Sequence, residues 1–148
     1  MAKYRYPYQK IVDLKTSEKT QAEWMLSAAV GRLQAEERTL SELLDERAVW
    51  TGRLHDDASA GITLSELQMI QTYIGHLDTV IWKKREDIRQ ATAEVDRCKT
   101  RLTDRMVDEK VWLKAKEKAF DKFKHAMLLQ EQNELDEIAS VRFALPAN

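Results

Sequence analysis

Residues 67–102 read LQMIQTYIGHLDTVIWKKREDIRQATAEVDRCKTRL. Within them Leu67, Ile70, Ile74, Leu77, Ile81, Lys84, Ile88, Ala91, Val95, Cys98 and Leu102 recur at spacings of three and four, and Lys84 alone is not apolar. Residues three and four apart share one face of a helix, and a stripe sustained at that mean spacing is the seam of a coiled coil. The stretch predicts a long helix with one face committed to another helix.

Upstream, Thr63-Leu64-Ser65-Glu66 has the spacing of a capping box, and Ile62 and Leu67 sit where a hydrophobic staple forms. Before it, Asp56, Asp57, Ser59 and Gly61 supply turn chemistry. Further back, Val12, Leu26, Leu33, Leu40 and Leu54 share a seven-residue frame with Lys19 and Arg47. A companion frame carries Ala22, Ala29, Leu43 and Trp50, interrupted by Lys15 and Glu36. Two seams about one bend predict an all-α fold, an antiparallel two-helix coiled-coil hairpin with a longer, overhanging second helix. The expected boundaries are one coiled-coil domain over 1–148, with helix one about 8–56, the bend about 57–62 and helix two about 63–142.

A bend so placed sets Trp50 near Leu67, Leu43 near Ile74, Ala29 near Ile88 and Ala22 near Val95. Pro7 then reaches only to about Lys110, and the second helix outruns the first by about 30 residues, or about 45 Å. After Leu102 the seam meets Arg105, Glu109 and Lys116, while a shifted frame of Met106, Leu113, Phe120 and Met127 is expected to take over, as in a stutter. Trp112, Phe123, Leu128, Leu135 and Ile138 add apolar surface that a lone helix cannot bury.

Composition agrees. Ala, Glu, Lys, Leu and Arg make up 70 of the 148 residues and Gly with Pro only six, which favours long helices and leaves little turn chemistry for sheets. The net charge of -1 argues against a nucleic-acid partner. The charge is nevertheless divided: residues 36–78 carry nine acids against three arginines, and residues 97–124 carry ten bases against five acids. Two different partners are expected for the acidic bend and the basic free end.

The single cysteine, Cys98, admits no internal disulfide and fits a reducing cytoplasmic compartment, and His55, His76 and His125 lie far apart. No apolar run is long enough to span a bilayer and the N-terminus lacks a signal core, so neither secretion nor direct membrane insertion is expected. No carboxylate pair, Ser/His/Asp set, phosphate loop or metal-ligand pair occurs, and a two-helix rod offers no concave pocket. The expectation is a non-enzyme with no catalytic residues, no metal and no cofactor.

Tyr6-Pro7-Tyr8-Gln9-Lys10-Ile11-Val12-Asp13-Leu14-Lys15, with Glu18, Lys19 and Gln21 following, is similar to the opening of the FliJ family of the flagellar type III export apparatus. Gly61-Ile62-Thr63 through Glu66-Leu67, Gln71, Tyr73-Ile74, Leu77-Asp78 and Ile81 resembles the family's best-marked stretch, and Glu134-Leu135-Asp136-Glu137-Ile138 its closing acidic motif. Pro7 departs from the pattern but fits a first helical turn.

The resemblance implies a cytoplasmic, stalk-like coupler, peripheral to the inner membrane at the flagellar base, that promotes ATPase assembly and substrate export. Its partners would be the hexameric export ATPase (FliI) and the cytoplasmic region of the export gate protein (FlhA), with the ATPase regulator (FliH) and export chaperones as further partners. Tyr73, Leu77, Val80 and Lys84 match the gate-binding positions, although Lys84 stands where some relatives have histidine. The paired termini would enter the ATPase ring, with Tyr6, Tyr8, Trp112, Phe120, Phe123 and Met127 as the contact candidates. An export chaperone or adaptor and a generic dimeric coiled-coil regulator are the alternatives.

Each candidate also has a structural reading. Tyr73, Leu77 and Val80 could simply widen the core, and Lys84 could set the register by pairing with Glu36 or Glu37. Trp24 and Trp82 fall outward, as partner contacts or as scattered surface aromatics. Gly75 either admits a close approach or is tolerated within its helix. The lysines from Lys110 to Lys124, interleaved with Asp108, Glu109, Glu117 and Asp121, read as a solvated ion-paired face rather than a phosphate site.

Overall fold

The computed structural model describes residues 4–144. Two α-helices account for nearly all of them, α1 (Gln9–Ala60, 52 residues) and α2 (Leu64–Ala144, 81 residues), packed against each other antiparallel, and the described residues contain no strand. The sequence reads as one coiled-coil domain, whereas by packing the chain divides into two compact units, Gln21–Thr103 and Met1–Thr20 with Asp104–Asn148.

The Gln21–Thr103 unit contains the bend. Helix α1 runs four residues past the expected stop at Asp56 and ends at Ala60. Asp56, Asp57 and Ser59 therefore belong to its last two turns, where the Ser59 hydroxyl donates to the His55 carbonyl and Arg53 pairs with Asp57 at 3.7 Å. Gly61 stops the helix: at φ +86° it occupies the left-handed region, and its amide and that of Ile62 both donate to the Asp57 carbonyl. Thr63 starts α2 with its hydroxyl accepting from the Glu66 amide at 3.2 Å, while Ile62 and Leu67 are both half-buried, as a staple requires. The connection is only Gly61–Thr63.

Every seam position from Leu67 to Leu102 is buried or half-buried, as are the seam positions of α1 within this unit. The register differs from expectation by one heptad. Ala29 packs with Val95 and Cys98 rather than with Ile88, and Trp50 meets Tyr73 rather than Leu67. A tight three-residue connection forces the change, because four more residues in α1 move the axis of the hairpin along the chain. Ala22, Ala29, Ala91 and Cys98 are among the most buried residues, so small side chains let the backbones approach there.

Gly75 is exposed, and a Cβ built on it meets nothing within 4 Å, so no close approach within the chain requires glycine. Gly75→Ala is expected to stabilise the unit by about 1 kcal/mol, the cost of glycine's backbone freedom in a helix. Urea denaturation of the two proteins checks it.

In the second unit the seam keeps its original frame. Arg105 donates to Glu18 at 3.2 Å, Lys19 pairs with Glu109 at 3.1 Å and Lys15 with Asp108 at 3.8 Å. The Thr16 hydroxyl and Lys19 together hold the Glu109 carboxyl below its ordinary range. The expected takeover by the shifted frame does not occur over most of its length, since Met106, Leu113 and Phe120 remain exposed and only Met127 of that frame is half-buried. Polar residues of α1 satisfy Arg105 and Glu109, which lets these two stay on the seam. The pairing also extends further than expected: Tyr8 reaches Trp112 and Tyr4 reaches Phe120 and Phe123. The overhang thus begins near Leu128, and every residue from Leu128 to Phe143 is exposed.

Candidate functional site

The gate-binding candidates all lie in the Gln21–Thr103 unit and divide by burial. Leu77 is 3% exposed and packs between the helices, where no partner reaches it without opening the hairpin. Val80 is half-buried. Lys84 donates to Glu36 at 2.8 Å and lies 3.5 Å from Asp87. Its bond to Glu36 is the main cause that raises the lysine above its ordinary pKa. The cross-helix ion pair at the lone charged seam position is the contact that a register-setting lysine would make.

Tyr73 is the most exposed of the four at 37%. Its hydroxyl donates to the Glu46 carboxylate, a bond that raises the phenol above its ordinary range, and its ring lies 5.0 Å from Trp50. The Arg53 guanidinium covers the Trp50 ring at 5.2 Å, and Arg47 of α1 pairs with Asp78 of α2. Around Tyr73 the unit forms an open groove of about 1030 Å³, with Trp50, Arg53, Asp57, Met69, Ile70 and His76 among its lining. This corrects the expectation that two helices offer no concavity. Met69 and Leu64 add apolar surface at the same end of α2.

The groove was only partly legible in the sequence. Trp50 reads as a seam residue and Tyr73 as a gate-binding candidate, and nothing local shows that their rings meet. The available signal was the pair of aromatics near the bend, but their meeting depends on the register.

The second set lies wholly in the unit formed by the chain's first twenty residues and the segment from Asp104. Tyr6 and Tyr8 approach edge-on at 5.7 Å, and Tyr8 meets Trp112 at 6.3 Å. Phe120 and Phe123 lie 5.4 Å and 4.8 Å from Tyr4, a residue the sequence reading passed over although Tyr4, Tyr6 and Tyr8 alternate. Tyr8 and Phe120 are exposed, while Tyr6, Trp112, Phe123 and Met127 are half-buried. The structure therefore places five of the six candidates, with Tyr4, in an aromatic end made of two clusters, Tyr6–Tyr8–Trp112 and Tyr4–Phe120–Phe123, and leaves Met127 outside both. The lysines of the same α2 segment, Lys110, Lys114, Lys118, Lys122 and Lys124, are exposed.

Neither surface holds a nucleophile and base in contact. Among the described residues no group of three or more His, Cys, Asp or Glu side chains could hold a metal ion, and no helix is long and apolar enough to cross a membrane. Trp24 and Trp82 point outward as expected, at 73% and 68% exposure. Both described surfaces are suited to contact with another macromolecule, one through an aromatic groove and one through aromatics on a helix segment that also carries exposed lysines.

Comparison with known proteins bears on what these surfaces meet. A family model described as the flagellar FliJ protein matches residues 4–148. The flagellar FliJ protein of Bacillus subtilis (strain 168) is 21% identical over 142 residues, covering 96% of this chain and 97% of that protein. The solved structure of a YscO homolog, CT670 from Chlamydia trachomatis, has the same fold, with a TM-score of 0.73 at 21% identity, covering 95% of this chain and 96% of that one.

Proposed function

This chain belongs to the FliJ family, and from that premise we propose that it is a component of the flagellar type III export apparatus that couples the hexameric export ATPase to the export gate. The basic aromatic end binds inside the ATPase ring, and the groove around Tyr73 binds the cytoplasmic region of the gate protein. The protein works in the cytoplasm, peripheral to the inner membrane at the flagellar base, where it promotes ATPase assembly and substrate export. The observation that carries this reading is the presence of two aromatic surfaces in separate packing units, one among acidic and one among basic residues. A protein that bound one partner would need only one of them.

Burial sharpens the gate side of the proposal. Tyr73 and Val80 contact the gate, Leu77 supports them from beneath, and Lys84 holds the register. The double variant Tyr73→Ala/Val80→Ala is expected to weaken binding to the gate domain at least tenfold, because aromatics at an interface centre dominate binding. Its melting temperature should fall by only a few degrees. Tyr73→Phe removes the bond to Glu46 and keeps the ring, and should bind nearly normally. Normal gate binding by the double variant, measured by calorimetric titration, would overturn the assignment.

A further inference from the structure

The exposed residues of the shifted frame, Met106, Leu113 and Phe120, continue into one stripe along α2. Met106, Leu113, Phe120, Leu128, Leu135 and Ile138 lie on the same side of the helix, and all are between 43% and 67% exposed. At 3.6 residues per turn these positions stay within about a quarter turn of one another. They are too many to leave in water on one face without a partner.

Four charges run along that stripe and say what covers it. Lys110, Glu117, Lys124 and Glu131 are spaced seven apart, alternate in sign and are all exposed. None of the four forms an ion pair among the described residues, whose inter-helix pairs in this unit use Lys15, Glu18, Lys19, Arg105, Asp108 and Glu109. An alternating row of this kind is complementary to itself when reversed. Laid antiparallel about a two-fold near Phe120, Lys110 of one copy faces Glu131 of the other and Glu117 faces Lys124, each pair occurring twice. The same axis sets Leu113 against Leu128, sets Met106 against Leu135, and brings the two Phe120 rings together. A parallel pair would oppose like charges at all four positions, which is unfavourable.

We infer that the stripe from Met106 to Ile138 is a homodimer interface, in which the C-terminal parts of two α2 helices pair antiparallel. The self-pair stands apart from the coupler reading. Only its consequence rests on that reading: Phe120 cannot serve the ring and the dimer at once, so self-pairing would hold the protein off the ATPase.

Sedimentation equilibrium of the full-length chain tests the interface. The wild type is expected to dimerise reversibly, more weakly as salt rises. Lys110→Glu/Lys124→Glu and Glu117→Lys/Glu131→Lys should each raise the dimer dissociation constant at least tenfold with unchanged helical circular dichroism, and an equimolar mixture of the two should restore it. A wild type that stays monomeric throughout the micromolar range, or a mixture that stays monomeric, overturns the proposal. Orientation is read from spin labels on a Cys98→Ala background. Asp121→Cys labels should lie within about 20 Å across the two-fold, and Ala139→Cys labels about 55 Å apart at 1.5 Å per residue. Short distances at both positions would mean a parallel pair and would also overturn it.

Discussion

Phe120→Ser/Phe123→Ser is expected to abolish the stimulation of ATP hydrolysis that the proposed coupling to the export ATPase requires, while leaving the chain helical. Phe120 offers an exposed ring at the aromatic end, and Phe123 holds Tyr4, which in turn flanks Phe120. Removing both rings dismantles the surface from two sides. The bend unit, with its core of Ala29, Val95 and Cys98, contains neither residue and should melt as in the wild type. Deletion of the chain after Lys110 should give the same loss, since it removes Trp112 and Met127 as well. Steady-state ATPase assays with the two variants check this. Unchanged stimulation would remove the coupler reading and leave an adaptor that escorts clients or chaperones.

Leu77→Asp has the largest expected effect on stability. The side chain is 3% exposed beside Ile81, which is 7% exposed. A carboxylate there loses the burial of leucine and must be desolvated against apolar neighbours, with a combined cost of about 3 kcal/mol or more. For a chain of this size that corresponds to a fall of about 10 °C in melting temperature. Thermal unfolding followed by circular dichroism at neutral pH measures it. If the variant melts with the wild type, Leu77 is not a core residue and could contact the gate directly. Because the aspartate is protonated more readily when buried, the loss should lessen as the pH is lowered through the carboxylate range.

These two results bear on different parts of the argument. The first tests whether an aromatic end on a helix segment with exposed lysines meets the ATPase. The second tests the packing that places Tyr73, Trp50 and Arg53 around one groove. A chain that loses both gate and ring binding through Leu77→Asp would show only that the fold is needed, so the surface variants carry the functional question.

The seam from Leu67 to Leu102, the cap at Thr63 and the cross-helix partner of Lys84 could be read from the residues, because each follows from local spacing or from the need to pair a lone seam charge. The outward Trp24 and Trp82 were legible for the same reason. Register was not. A slip of seven residues returns every seam residue to the inside, so the heptad pattern is equally satisfied by Ala29 against Ile88 or against Val95. Only the short Gly61–Thr63 connection chooses between them, and that depends on Asp56, Asp57 and Ser59 remaining helical until Gly61 takes its positive φ. The groove around Tyr73 exists because of that choice. The fate of the shifted frame was likewise a tertiary matter: the apolar spacing of Met106, Leu113 and Phe120 favours a seam, but Glu18 and Lys19 on α1 pair with Arg105 and Glu109 and keep the polar frame inside. Helix periodicity is a property of one chain segment, whereas which of two equivalent faces is buried depends on the partner side chains that complete its charges.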